Sequence, residues 1–314
     1  MIRLAVSMGD PAGVGPEIIA AALAGGVPPG SRVLVFGSRP LLARAGLVPR
    51  PGSIEILPAG EDDAAACVPG RFSPAAARAT VACLQAACDA VASAQADALV
   101  TGPINKQALA TCQQVGPGQT EWLARRFGAE LPVMAFWSPS FSVVLATTHL
   151  PLARVAASLD ARRLERIIIM AHRQLAGRLW PRAARLALAA LNPHGEVAGQ
   201  PGAEEQQLLR PVVERLRERG IDISGPIAAD TVFALARRGD FQVVVALYHD
   251  QGLAPLKALH FSEAVHLTLG LGVVRTSPDH GPAYDLAGSG RADPTSMRGA
   301  LELAVRLTGT GEPP

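Results

Sequence analysis

The chain has 314 residues, 49% of them apolar, which suits one large α/β domain or two lobes built around sizeable cores. Charged residues make up only 18% and the formal net charge is +2, a field too weak to point to nucleic acid or to a membrane surface. No uncharged apolar run reaches the roughly 18 residues of a membrane span, and Met1–Ser7 lacks the basic flank and cleavage site of a signal peptide; a cytoplasmic protein with neither nucleic-acid nor membrane partners is expected.

Short apolar runs alternate with longer helical stretches. Arg3–Ser7 reads as a strand, followed by a Gly/Pro turn and a helix from Pro16 to Leu23. Strands are expected at Val33–Gly37 and Ile54–Leu57, then a polar loop from Pro58 to Ser73. Pro74 opens a long amphipathic helix to Ala94, Pro being favoured in a first turn. Ala98–Thr101 reads as a buried strand and Thr120–Phe127 as a helix. Val133–Trp137 and Ser142–Thr148, separated by Ser138-Pro139-Ser140, suggest a hairpin, an antiparallel insertion in an otherwise parallel pattern. Ala161–Leu179 is a long helix and Arg185–Leu191 a strand. Helices follow at Glu204–Arg219 and Asp230–Arg238, strands at Val243–Tyr248, Val265–Leu269 and Val273–Thr276. The closing helix spans Pro294–Leu307 with Asp293 as its N-cap, and the tail Thr308–Pro314 is expected to fray. The alternation means an α/β fold with largely parallel sheets. No clean linker divides the chain, so two lobes would interleave.

Cys67, Cys83, Cys88 and Cys112 form no Cys-x-x-Cys pair and none adjoins a histidine. They read as reduced, mostly buried packing residues, in keeping with a cytosolic setting.

The residues able to do chemistry collect at the carboxyl ends of the apolar strands: Ser7-Met8-Gly9-Asp10, Thr101 to Lys106, Thr147-Thr148-His149, Asn192-Pro193-His194 and Tyr248-His249-Asp250. In open α/β sheets that edge binds ligands. His149, His194 and His249 share the placement, 45 and 55 residues apart, so only the fold could bring them together. Three imidazoles can hold a zinc-like ion and leave a coordination position for substrate; singly, each is as readily a structural histidine. Asp250 could orient an imidazole, ligate, act as a base, or cap the turn beginning at Gly252. Met8 to Glu17 is a Gly-rich turn whose N–H groups could hold an anion, or a turn that only joins strand to helix. No G-x-G-x-x-G fingerprint occurs. Lys106 and Lys257, the only lysines, and Arg275 are the cations placed for a phosphate or carboxylate, Arg275 in a bidentate grip. His172 and His260 read as peripheral, His172 as solvated. His280 follows the last strand and could line the site.

These segments, with Gly118-Gln119-Thr120-Glu121, Ala229-Asp230-Thr231 and Arg275 to Gly281, together resemble the 4-hydroxythreonine-4-phosphate dehydrogenase (PdxA-like) family, from residue 4 to about residue 294. The resemblance implies two α/β/α lobes with mostly parallel sheets, isocitrate/isopropylmalate dehydrogenase-like. Residues 1–130 with 272–314 would form one lobe and 131–271 the other. It also implies a homodimer whose active site lies in the inter-lobe cleft at the subunit interface. By the same resemblance His149, His194 and His249 ligate one divalent metal per subunit (zinc, magnesium or cobalt), and Gln119, Thr120, Lys257, His266 and Arg275 bind substrate. Asp250 and Lys257 are the candidate catalytic groups. The implied reaction is NAD- or NADP-dependent oxidation of 4-phosphooxy-L-threonine with decarboxylation to 3-amino-2-oxopropyl phosphate, in pyridoxal 5'-phosphate biosynthesis. The family usually has His where this chain has Gln119, and Asn where it has His266, which opens the substrate to other 4-phosphorylated four-carbon acids such as D-threonate or D-erythronate 4-phosphate. Lys257 and Arg275 favour a phosphorylated substrate over a dihydrodiol. A metal-dependent lyase or epimerase without NAD, and a phospho-metabolite sensor, are the other classes weighed.

Overall fold

The computed structural model describes residues 1–112, 118–180, 184–197 and 200–309. The end of the tail expected to fray, from residue 310, lies outside them. In chain order the strands are β1 (Ile2–Ser7), β2 (Ser31–Gly37), β3 (Ile54–Pro58), β4 (Ala98–Thr101), β5 (Val133–Trp137), β6 (Ser142–Leu145), β7 (Leu186–Ala189), β8 (Glu196–Val197), β9 (Gln200–Pro201), β10 (Ile223–Ile227), β11 (Val243–Ala246), β12 (Val265–Leu269) and β13 (Val274–Pro278). The chain divides into two compact units, Met1–Pro132 with Val265–Pro314, and Val133–Ala264.

Among the described residues of the first unit the strands run in the order β12-β13-β4-β1-β2-β3. All neighbours are parallel except β12 and β13, which are antiparallel. Leu34, Phe36, Leu84, Leu99, Trp122 and Leu123 anchor its core. The helix Pro74–Ala92 contributes Leu84, and starts where the Ser73 hydroxyl accepts from the Ala76 N–H at 3.0 Å. In the second unit the order is β10-β7-β11-β6-β5, parallel up to β6, with β5 antiparallel to β6 as the hairpin predicts. Phe136, Phe141, Val143, Phe233, Val244 and Leu256 lie at its core. Strands buried on both faces explain why they read as continuous apolar runs rather than alternating ones.

Several expectations are corrected. β6 stops at Leu145, not Thr148. The stretch expected as a polar loop carries a short helix, Glu61–Ala65. The long helix from Ala161 keeps α geometry only to Ala171 and continues through a π turn, His172–Ala176. His172 is half-buried there rather than solvated, its Nδ1 enclosed. His260 is not peripheral: its ring meets Phe141 edge-on and its Nδ1 bonds Glu263 at 2.8 Å. The closing helix begins at Thr295 with Pro294 in the cap position, although Asp293 does accept from the Thr295 N–H at 2.9 Å.

The largest addition is the helix His249–His260, which the sequence hid behind Gly252 and Pro255. Both residues cost helix stability in isolation. Here Gly252 is what allows docking: a Cβ on it would meet Val143 Cγ1 at 2.6 Å and Ala246 Cβ at 3.0 Å. The helix therefore lies hard against β6 and β11, and burial of Leu253 and Leu256 outweighs propensity.

Of the cysteines, Cys83 and Cys88 are buried and Cys67 and Cys112 half-buried, none in a disulfide. Burial pushes the Cys83 and Cys88 thiols up to about 12, so neither is a reactive thiolate.

Candidate active site

The Gly-rich turn after β1 packs closely against the rest of the first unit. Several of its N–H groups are engaged: Asp10 N–H donates to Pro103 O, Gly13 N–H to Asp10 O, and Val14 N–H to Pro282 O, at 2.9–3.1 Å. A Cβ on Gly9 would lie 2.5 Å from Pro103 O, so this turn and the one after β4 touch backbone to backbone. Asp10, 1% exposed, accepts from Ala12 N–H (2.9 Å) and from the Tyr284 hydroxyl (2.5 Å), which in turn accepts from Asn105 Nδ2 (3.0 Å). Burial raises the Asp10 carboxyl above its ordinary range, against the pull of the Tyr284 bond.

Beside this turn, still in the first unit, lies a buried cation. Arg275 on β13 is 2% exposed. Its Nη1 donates to His266 Nδ1 and Thr268 Oγ1, each at 3.0 Å; its Nη2 donates to Thr101 Oγ1 at 2.7 Å and Gln119 Oε1 at 2.8 Å. Because a guanidinium only donates, His266 Nδ1 accepts and the ring's proton sits on Nε2. Arg275 Nε–H, buried, has no partner among the described residues. Every acceptor around the ion is neutral. Burial pulls the guanidinium down to about 9, which marks a charge that an approaching anion would relieve. The structure thus unites three of the predicted substrate residues, Gln119, His266 and Arg275. Thr120, buried, follows Gln119 at the start of the helix Gln119–Arg126. All four Nη hydrogens are engaged by side chains, so a bidentate grip through both Nη atoms would displace some of these partners, while the Nε–H stands without one among the described residues. Thr101 opens one of the strand-end segments that the sequence marks; Thr268 was not singled out. Thr268 shares a face with His266, two residues along one strand, a signal legible only once Arg275 is placed opposite.

In the second unit β7, β11 and β6 are adjacent and parallel, and His194, His249 and His149 follow their carboxyl ends. The His149 and His249 rings lie 5.8 Å apart, centre to centre. Two imidazoles ligating one ion at about 2.1 Å place their ring centres roughly 5 Å apart. The His249 Nδ1 contacts Asp250 at 2.7 Å, which directs the Nδ1 proton to the carboxylate and leaves the Nε2 lone pair for a ligand. His194, 78% exposed, turns its Nδ1 toward Asp230 at 3.7 Å. Among the described residues no three His, Cys, Asp or Glu side chains already close on a common point; His149 and His249 are brought together, His194 stands at the neighbouring strand end. Both His149 (φ 52°) and His194 (φ 56°) occupy the left-handed region that side chains other than glycine rarely adopt, a strain that clusters at functional sites. Thr147, Thr148, His149, Tyr248, His249 and Asp250 line a cavity of about 480 Å³. The donor set, three imidazoles of which one is already oriented by a carboxylate, suits a divalent ion.

Asp250 sits in the first turn of the helix His249–His260 and does not cap it; Tyr248 holds the cap position. Lys257, on the same helix, lies 5.8 Å from the Phe261 ring. Lys106 is exposed at the start of a short helix, Lys106–Thr111, and His280 bonds the neighbouring Gly281 carbonyl at 2.9 Å. A cavity of about 520 Å³ in the first unit, lined by Glu17, Arg44, Cys67 and the 288–290 turn, holds none of the predicted site residues. No helix among the described residues is long and apolar enough to cross a membrane.

The two units with their mostly parallel sheets give the α/β, isocitrate/isopropylmalate dehydrogenase-like architecture, and the relatives that match nearly the whole chain make it an oxidoreductase. The chain belongs to the PdxA family: the family model described as pyridoxal phosphate biosynthetic protein PdxA matches residues 32–304. A 4-hydroxythreonine-4-phosphate dehydrogenase of Azoarcus sp. (strain BH72) is 40% identical over 97% of this chain and 96% of its own. Among solved structures, the 4-hydroxythreonine-4-phosphate dehydrogenase of Klebsiella pneumoniae is 34% identical with a TM-score of 0.83, covering 98% of each chain. A terephthalate 1,2-cis-dihydrodiol dehydrogenase of Burkholderia xenovorans LB400 is 30% identical with a TM-score of 0.66, again over 98% of each. Membership implies a pyridine nucleotide and a divalent metal in general.

Proposed function

We propose that the chain oxidises 4-phosphooxy-L-threonine with NAD or NADP, and that the resulting β-keto acid loses carbon dioxide to give 3-amino-2-oxopropyl phosphate. The observation that carries the reading is the placement of His149, His249 and His194 at the carboxyl ends of three adjacent parallel strands. These three residues would hold a zinc, magnesium or cobalt ion, which supplies Lewis acidity toward the substrate's secondary alcohol when bound. Asp250 fixes the His249 tautomer through the 2.7 Å contact. Arg275 provides the positive field for an anionic end of the substrate, with Gln119, His266 and Thr120 around it, and Lys257 is the second cation and candidate proton carrier. NAD or NADP, when bound, would supply the acceptor for the hydride of the alcohol carbon, and orienting it would be the protein's task. A homodimer that completes the site is part of this reading, as is the interleaved division of lobes given above.

A second reading is favoured by one observation. Gln119 and His266 both contact Arg275, so they touch the residue that would hold the anion. The same chemistry on D-threonate or D-erythronate 4-phosphate is therefore the alternative. A panel of these acids, read by cofactor reduction with and without a chelator, decides. Reduction with 4-phosphooxy-threonine that a chelator abolishes and added metal restores is expected. Turnover without cofactor reduction would replace the dehydrogenase with a lyase or epimerase.

A further inference from the structure

The strands of the second unit end at Leu145, Ala189 and Ala246, three to five residues before the three histidines. Buried side chains take over where it ends. Thr147 Oγ1 donates to Leu247 O at 2.7 Å. Gln251, 6% exposed, accepts from Leu247 N–H through Oε1 at 2.7 Å and donates through Nε2 to Ala190 O at 2.7 Å. Glu205, 0% exposed, accepts from Leu191 N–H (2.8 Å) and Asn192 N–H (2.9 Å) at Oε1, and from Asn192 Nδ2 (2.7 Å) at Oε2. Leu247 is thus pinned on both sides, its carbonyl to the His149 segment and its N–H to Gln251. Past the ends of the paired strands, Gln251 joins the segment bearing His249 to the segment bearing His194.

We infer that Gln251 is a positioning residue that sets the spacing of the three imidazoles, with Thr147 and Glu205 as its supports; this rests on the three-histidine reading above. None of the three needs to touch a bound ion. The His194 turn, in left-handed backbone, is closed by Gly195 N–H donating to Asn192 O at 2.9 Å, and Glu205 holds the Asn192 end of it from within. If these bonds merely satisfied buried backbone groups, losing one would lower stability and leave ion affinity as it was. A positioning role instead moves the imidazoles relative to one another and shows in affinity.

The test is a Co²⁺ titration of the metal-free full chain, followed by the absorbance of the bound ion, with circular dichroism of the metal-free protein as the fold control. Gln251→Glu keeps the size and the acceptor for Leu247 but sets an oxygen against Ala190 O; Gln251→Met removes both bonds. Each is expected to weaken Co²⁺ binding about tenfold or more while keeping the native spectrum, the scale seen when groups orienting metal ligands are lost. Thr147→Val, which deletes only the hydroxyl, serves if the Gln251 variants fail to fold, and is expected to weaken binding severalfold. Affinity within twofold of the wild type in the folded variants overturns the positioning role, even while His194→Ala abolishes binding. A wild-type chain that binds no Co²⁺ overturns the three-histidine reading, and the positioning role with it.

Discussion

The Arg275 cluster and the histidine edge are opposite solutions to holding charge. The first is closed: a 2% exposed cation, four neutral acceptors at 2.7–3.0 Å, and no side chain free to rotate without breaking a bond. The second is open: His194 is 78% exposed and His249 38%, and the bonds that fix the turns lie behind them, in Gln251, Thr147 and Glu205. The closed cluster carries surplus positive charge in a low dielectric, where it acts at a distance and at a cost to stability. The open one collects electron-pair donors near solvent, where the ligand rather than the protein completes the geometry. Loss of a group should therefore read out differently in the two places.

The sharpest division comes from removing one imidazole. His249→Ala is expected to lower kcat/KM by about a thousandfold or more, as loss of several kcal/mol of Lewis-acid stabilisation requires, and to abolish retention of metal through dialysis. A variant that loses metal but keeps its rate would break the comparison on the open side. On the closed side the expected effect is smaller and of another kind. Arg275→Met should raise KM for the phosphorylated substrate roughly 10- to 100-fold, the worth of a charged hydrogen bond, with kcat less affected. Its unliganded stability in urea should equal or exceed that of the wild type, because a buried cation without a counter-charge is replaced by an apolar chain of similar length. A large loss of stability instead would mean that the four bonds to neutral acceptors outweigh desolvation.

Gly252→Ala probes what holds the open edge from behind. The added methyl meets Val143 and Ala246 inside 3.1 Å, and should cost about 1–3 kcal/mol of unfolding free energy. If the helix His249–His260 backs away to relieve it, metal affinity falls too, though Gly252 touches no ligand.

How much of this was legible beforehand follows the same division. The strands were, because runs such as Val243–Ala246 have nowhere to go but a core. The placement of the three histidines at strand ends was, because each sits just past such a run. The helix that begins at His249 was not: Gly252 and Pro255 argue against it locally, and only the surface of β6 and β11 argues for it. The Arg275 cluster was half-legible. Arg275 is a visible cation, but its partners come from positions 101, 119, 266 and 268, and nothing local says that they meet. The Gly-rich turn misleads in the other direction, since several of its N–H groups look available until Pro103 and Pro282 arrive from far along the chain.

That turn supplies the smallest test, and one with a sign. Asp10 titrates above its ordinary range because burial outweighs the bond from Tyr284. A carboxyl whose folded pKa is raised contributes stability that is present below its unfolded pKa and is lost as pH rises through the folded one. Tyr284→Phe removes the bond that moderates the shift. A hydroxyl bond to a protonated carboxyl is worth about 1 kcal/mol and one to a carboxylate about 2. The destabilisation by Tyr284→Phe should therefore grow, by about 1 kcal/mol, as pH rises through the raised pKa of Asp10 to the still higher one in the variant, and stay level above that. Unfolding of both proteins in urea across that range measures the difference. A difference that shrinks with pH would mean that the Tyr284 hydroxyl favours the protonated carboxyl over the carboxylate, and that the closed side of the molecule avoids this charge instead of holding it.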